Sequence, residues 1–215
     1  RYLSSAASDV YKRQVSGLIH AFRTGEGQVV DSAMVDGSLS LMSFFYSLKE
    51  MGHWVDKRES NLLDGFAHFY DTYECSDNKF LAVGSIEPQF YSELLDKLGI
   101  EEDKFKDQHN KDLWPELKNI MSSKIKSKSR SEWIEIFKDS DACVSPVLTM
   151  EEAREHPHNI EREAFINIDG FNQPNASPRY SVTKQEIKHN AKQVGADLDD
   201  ICKEFNLSID ALKKT

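Results

Sequence analysis

The sequence predicts an α/β protein whose centre is a small mixed α+β domain. Three observations carry that prediction. Residues 15–50 run in the order helix, turn, strand, helix, which is a piece of a layered α/β fold. Two β-rich runs, Phe69–Cys75 and Lys79–Gly84, flank the short polar break Ser76-Asp77-Asn78. After them, apolar residues recur with helical spacing between proline and glycine boundaries. With 215 residues, 39% of them hydrophobic, the chain can bury a core and form one or two domains.

Val15–Phe22 reads as the last part of a helix, closed by the two-glycine turn Arg23-Thr24-Gly25-Glu26-Gly27. Gln28–Met34 is rich in β-branched residues and is expected to be a buried strand. Asp36-Gly37-Ser38 opens a helix to about Glu50, apolar at Leu39, Leu41, Met42, Phe44, Phe45 and Leu48 and expected to be buried on more than one face. Met51–Gly65 is a polar connection, and the hairpin at residues 69–84 follows. Pro88–Leu98 is a helix with proline at its first position, Phe90, Leu94, Leu95 and Leu98 along one side, and Gly99 as its stop. Helices at about 112–127 and 130–138 precede a short strand, Cys143–Leu148, and a helix after Thr149. Phe171–Pro178 is expected to be a loop, followed by helices near 196–205 and near 208–214, the second capped by Ser208.

Composition excludes several functions. The chain has 36 acidic and 27 basic residues, a net charge of −9, which argues against nucleic-acid binding. No stretch approaches the about 20 apolar residues of a membrane span. Cys75, Cys143 and Cys202 are few and scattered, as reduced thiols in a reducing compartment would be. The opening RYLSSAASDVYKRQ lacks the apolar core of a signal peptide. Residues 1–14 resemble the translated adapter tails of metagenomic reading frames and are expected to be non-native, with the natural protein beginning further upstream. Lys213-Lys214-Thr215 is not a peroxisomal ending, so a bacterial, cytoplasmic setting is expected.

Few residues stand in a chemical pattern. Lys118, Lys124, Lys126, Lys128 and Arg130 are interleaved with serines rather than aromatics and read as a solvated helix face. Glu155, His156, His158 and Glu161 are metal-ligand types, but a proline splits the two histidines and no matching partners occur elsewhere, so no metal is expected. Gly25, Gly27 and Gly37 make no nucleotide-binding fingerprint, and no GxSxG is present. Glu87 differs. It follows an apolar strand ending at Ile86 and precedes the helix-opening Pro88, so its carboxylate belongs at a strand-to-helix junction near the positive end of a helix dipole. Position alone leaves two roles open, an active-site acid or a plain N-terminal cap.

The segments GEGQVVDSAMVDG, NLLDGFAHFYDTYECSDNKFLAVGSIEPQFYSELL, DACVSPVLTMEEAREHPH and NQPNASPRYS are similar to the alpha-methylacyl-CoA racemase branch of the class III CoA-transferase (CaiB/BaiF) family. The likeness extends over roughly residues 15–215. It implies a Rossmann-like large domain and a smaller α+β domain joined by long linkers, with two chains interlocked as a homodimer. Residues 15–50 then correspond to the end of the large domain, 51–160 to the small domain, and 161–215 to a linker and the return to the large domain.

The resemblance also implies a chemistry. The α-carbon of a 2-methylacyl-CoA thioester loses a proton on one face and regains one on the other, through an enolate held on the thioester carbonyl. No cofactor is implied, neither metal nor pyridoxal, because coenzyme A is part of the substrate. Two proton-transfer groups must flank the carbon. The family supplies an upstream aspartate and an upstream histidine, the histidine paired with a small-domain glutamate. Glu87 in Ile86-Glu87-Pro88 matches that glutamate, whereas the upstream pair has no counterpart in this sequence. Ile86, Pro88, Leu63 and Tyr70 are implied as lining for the acyl pocket, and Met34 and Met42 as a polarisable surface over which an acyl chain shifts. Ordinary core packing is the other reading of each apolar residue. Two alternative functions remain: a CoA-transferase working through an aspartyl-CoA intermediate, and a non-catalytic dimerisation fragment. Transferases of the family commonly carry a glycine-rich loop in the small domain, and Ser85–Gln89 has none.

Overall fold

The computed structural model describes residues 2–208, which group into two compact units divided between Val147 and Leu148. In the first unit, helix α1 (Tyr2–Thr24) leads through an irregular segment to the short helices α2 (Met34–Leu41) and α3 (Ser43–Glu50). Strands β1 (Tyr70–Glu74) and β2 (Phe80–Gly84) form the expected hairpin, and β3 (Val144–Pro146) joins β2 on its other side to give an antiparallel sheet in the order β1-β2-β3. Between β2 and β3 the chain makes α4 (Pro88–Leu98), a 3₁₀ turn at Asp103–Lys106, α5 (Trp114–Ile125) and α6 (Arg130–Phe137).

One core joins the sheet to these helices. Phe69, Tyr73, Leu81 and Val83 from the hairpin pack with Leu94 and Leu98 of α4, Trp114, Leu117 and Met121 of α5, and Trp133 of α6. Register explains which hairpin residues point inward: Tyr73 lies opposite Leu81, and both are buried. Helix ends are set by local chemistry. Gly99 closes α4 at φ 64°, a left-handed conformation that costs other residues energy. Ser129 opens α6 with a reciprocal capping box to Glu132.

The second unit holds α7 (Met150–Glu155), α8 (Pro157–Glu161), a hairpin of β4 (Phe165–Ile168) and β5 (Phe171–Pro174), and α9 (Leu198–Glu204). No helix among the described residues is long and apolar enough to cross a membrane.

Four expectations are corrected. Residues 28–33 form no strand: a strand exists only where a neighbour pairs its backbone, and among the described residues none flanks this segment, leaving Val29 97% exposed. The Asp36–Glu50 helix is broken at Met42, where the Ser43 hydroxyl bonds the Ser40 carbonyl at 2.6 Å and competes with the helical ladder. Neither half is buried on two faces, since Leu39, Leu41 and Phe44 are about half exposed and only Gly37 is buried. Phe171–Pro174 is a strand rather than a loop, because Asp169 and Gly170 take positive φ (51° and 83°) and reverse the chain onto Phe165–Ile168. The basic run is a solvated face only in part. Lys118 pairs with Asp71, Lys126 pairs with Glu74 at 2.8 Å, and buried Arg130 donates to the Val147 carbonyl, so three of its members tie helices to the sheet. The helix expected near 208–214 lies outside the described residues.

His68 sits in the core with no exposure, beside Phe69, Tyr91 and Phe105. Tyr91 Oη donates to the Phe105 carbonyl at 3.0 Å, so His68 Nε2 is the donor in its 2.7 Å bond to Tyr91 Oη, and Nδ1 has no partner. Burial, reinforced by His109, pushes the imidazole down to about 4. The unfolded histidine takes up its proton near pH 6.5, whereas the folded one stays neutral until about 4. Its contribution is therefore complete above about pH 6.5 and declines as pH falls toward 4, by up to about 3 kcal/mol. Chemical denaturation of the wild type and His68→Gln across pH 4–7 should show this slope in the wild type and a flatter curve in the variant.

Candidate active site

The candidate site is the corner where the sheet ends and α4 begins. β2 stops at Gly84, Ser85 and Ile86 cross the gap, and Glu87 is the last residue before Pro88 starts the helix. Proline suits this place because the first helical amide would have no intrahelical acceptor. It also keeps the preceding residue extended, and Glu87 has φ −74° and ψ 143°.

The backbone at the corner before Glu87 is tied to several parts of the unit, and the Ile86 amide closes a tight turn onto Gly84 O at 3.0 Å. The Gly84 amide donates to Cys143 O at 3.0 Å, and the Ser85 amide donates to Phe69 O at 3.0 Å. The buried Ser85 hydroxyl donates to Ala142 O at 2.5 Å. The side-chain amide of Gln108 donates to Ser85 O at 3.1 Å and to Ile86 O at 2.9 Å. Asp141 N donates to Glu93 Oε2 at 3.1 Å, which fastens the 139–143 loop to α4.

The Glu87 side chain is exposed and makes no capping hydrogen bond to the α4 amides. Among the described residues it has no hydrogen-bond or ion-pair partner. Of the two roles that position left open, the side-chain cap is thus not the one realised. Its charge is felt by Cys143, whose thiol is pushed up first by burial and then by Glu87, Asp141 and Glu93. Cys143 itself has φ 53° and is exposed, an unusual conformation for a residue with a β-carbon.

The other candidates divide. Tyr70 pairs with Gly84 across the hairpin, and its ring borders an open cavity of about 440 Å³ that Asp64, Asp71, Ala82, Gly84 and Cys143 also line. Ile86 packs against the same core cluster as Tyr70. Pro88 is exposed beside Glu87. Leu63 lies on a loop made rigid by buried Asn61, whose side chain bonds Val55 N and O at 2.8 and 3.0 Å and Asp64 Oδ2 at 2.7 Å. Burial raises the Asp64 carboxyl, but the bonds from Ser60, Asn61 and Phe66 outweigh it and hold the group below its ordinary range. Leu63, Ile86, Glu87 and Pro88 are not part of that cavity's wall. Met34 begins α2, is 63% exposed, and does not line the cavity either.

Gln108, Ser85 and Cys143 join the site from positions that the sequence did not mark. The Cys143-Val144 boundary of β3 was foreseeable, but Gln108 reaches the corner only through the fold of the loop before α5. Among the described residues no three His, Cys, Asp or Glu side chains are grouped to hold a metal ion.

Residues 14–198 match CoA-transferase family III. The chain belongs to that family. Similar members include the alpha-methylacyl-CoA racemase of Mus musculus, 42% identical over 197 residues, which are 90% of this chain and 51% of the mouse protein. The Homo sapiens racemase is 43% identical over 165 residues, 77% of this chain and 42% of the human protein. The chain of this family III member thus spans about half the length of the curated relatives it matches. A CaiB/BaiF family protein from Brucella suis shares its fold at a TM-score of 0.68 and 18% identity, over 88% of this chain and 51% of that one. The fold is therefore that of the class III CoA-transferases.

Since the Glu87 carboxylate caps nothing, Glu87→Ala is expected to move the stability of the chain by less than about 0.5 kcal/mol. A side-chain cap would instead cost about 1 kcal/mol on removal. Urea melts of the two proteins measure the difference.

Proposed function

We propose that this family III chain supplies the small-domain part of a 2-methylacyl-CoA racemase. The observation that carries the reading is Glu87: a carboxylate without a capping bond, at a corner whose backbone is tied on all sides, in the motif Ser85-Ile86-Glu87-Pro88. The relatives at 42% and 43% identity are named alpha-methylacyl-CoA racemase, which favours racemisation over CoA transfer. Ser85–Gln89 also lacks a glycine-rich loop, which favours the same choice.

In this reading the Glu87 carboxylate accepts an N–H from one nitrogen of an imidazole lying outside residues 15–215. That bond fixes the tautomer, leaves the second nitrogen as the base, and stabilises the imidazolium once it has taken a proton. The base removes the α-proton of the acyl-CoA thioester, electrons move onto the thioester oxygen, and a group on the opposite face returns a proton to the same carbon. Atoms and charge balance without an added cofactor. Ile86 and Pro88 adjoin Glu87 in the chain and Tyr70 lies across the hairpin from Gly84; in this reading they give the acyl chain an apolar bed, together with Leu63 on the loop before the hairpin and Met34 at the start of α2. The half-exposed apolar residues of α1–α3, among them Leu18, Ile19, Leu39 and Phe44, support burial of that face in an interlocked homodimer.

The test is deuterium exchange at the α-carbon of (R)- and (S)-2-methylacyl-CoA thioesters, in a polypeptide of the relatives' full length that carries this chain. Both enantiomers should exchange. Glu87→Gln should lower the rate by roughly 10²–10⁴-fold, the contribution of a positioned proton-transfer group, with binding of the CoA ester preserved. Transfer of CoA to a free acid without α-exchange would sink the racemase reading.

A further inference from the structure

The two carbonyls immediately before Glu87 are held by one side chain. Gln108 is 7% exposed, and its Nε2 donates to both Ser85 O and Ile86 O. Its own backbone carbonyl accepts from Trp114 Nε1 at 2.8 Å, and Trp114 is buried edge-on to Phe66 and Phe69. One end of Gln108 is therefore anchored in the core while the other grips the chain ahead of Glu87. The fully buried Ser85 adds a second tie, binding Ala142 O through its hydroxyl. Pro88 restrains the remaining backbone freedom of Glu87 to the extended region.

Satisfying two buried carbonyls is reason enough for a buried amide. The placement of these particular bonds asks for more. A hairpin can end in many ways, and a glutamate needed only for solubility requires no fixed backbone. Here the donors converge on residues 85 and 86, while the Glu87 side chain itself bonds to nothing among the described residues. The backbone therefore sets where the Glu87 side chain starts and how far its carboxylate reaches, and that backbone takes its location from Gln108 and Ser85.

We propose that Gln108 and Ser85 are positioning residues for Glu87, clamping the Ser85-Ile86 segment so that the glutamate is rooted at one point and its carboxylate stays within reach of the 139–143 loop. The significance of the clamp for catalysis rests on the racemase reading, but its geometry does not, so it is tested without turnover.

Cys143 provides the reporter. Its thiol is exposed, whereas Cys75 and Cys202 are buried, and the Glu87 charge is among the causes that push it up. The pH dependence of Cys143 alkylation by iodoacetamide is measured in the 215-residue chain, with the modified cysteine identified by peptide mass. Glu87→Gln should lower the thiol pKa by removing that charge. Gln108→Met and Ser85→Ala should each shift it in the same direction by less, because a released carboxylate spends time further away. The deciding result is the double-mutant cycle. In a Glu87→Gln background neither change should move the thiol further. Equal shifts with and without the Glu87 carboxylate would overturn the proposal, and so would an unmoved thiol in variants that merely melt earlier. Should Gln108→Met fail to fold, the Ser85→Ala cycle decides by the same criterion. Failure of the racemase reading appears elsewhere, as a full-length protein without α-exchange, and leaves the thiol cycle readable.

Discussion

A strand that runs straight into a proline-led helix leaves carbonyls at the corner that neither element can satisfy. In this chain the solution is a single buried amide, Gln108, which donates to both Ser85 O and Ile86 O. Burying those carbonyls unpaired would cost about 1–3 kcal/mol each, so the corner and the loop bearing Gln108 depend on one another. The loop in turn is held by the indole N–H of Trp114, whose ring stands edge-on to Phe69 at the start of the hairpin. Local geometry at Glu87 is thus a consequence of how the helical layer docks on the sheet.

The same docking separates two kinds of polar residue. His68, Tyr73 and Tyr91 are buried for structure: Tyr73 Oη bonds His68 O at 2.5 Å, Tyr91 bridges to Phe105, and burial keeps both phenols protonated and the imidazole neutral. Glu87 is the reverse case, a charged group that burial does not reach and that no partner among the described residues satisfies. Lys118 shows why the contrast matters. It also packs against the sheet, yet Asp71 pairs its charge and the Gly65 carbonyl accepts a second N–H at 2.6 Å, so two of its three donors and its charge are already engaged.

Local signals were legible where the chemistry was local. Ser76-Asp77-Asn78 marked the hairpin, Pro88 and Gly99 bounded α4, and the position of Glu87 between Ile86 and Pro88 was sufficient to single it out. The Asp169-Gly170 turn carried an equally local signal, but the polar, proline-containing stretch after it drew the reading toward a loop. Residues 28–33 failed for a different reason. Val29 and Val30 have strand character, but a strand is a property of a pair, and among the described residues no strand pairs with them. Gln108 could not have been found at all, since it is 22 residues from the Ile86 carbonyl that it binds and sits in no motif.

Family membership gives the exposed carboxylate its meaning. Residues 14–198 match a family whose similar members include two proteins named as racemases, and the fold agrees with a CaiB/BaiF protein over 88% of the chain. The account turns on Glu87 meeting an imidazole that lies outside residues 15–215. A crystal structure of a full-length protein carrying this chain, with a non-reactive 2-methylacyl-CoA analogue bound, measures that contact directly. The account predicts a Glu87 carboxylate oxygen about 2.6–3.2 Å from one imidazole nitrogen, with the other nitrogen facing the α-carbon. A Glu87 carboxylate folded back onto the amides of α4, or left in solvent with the analogue bound, would contradict it.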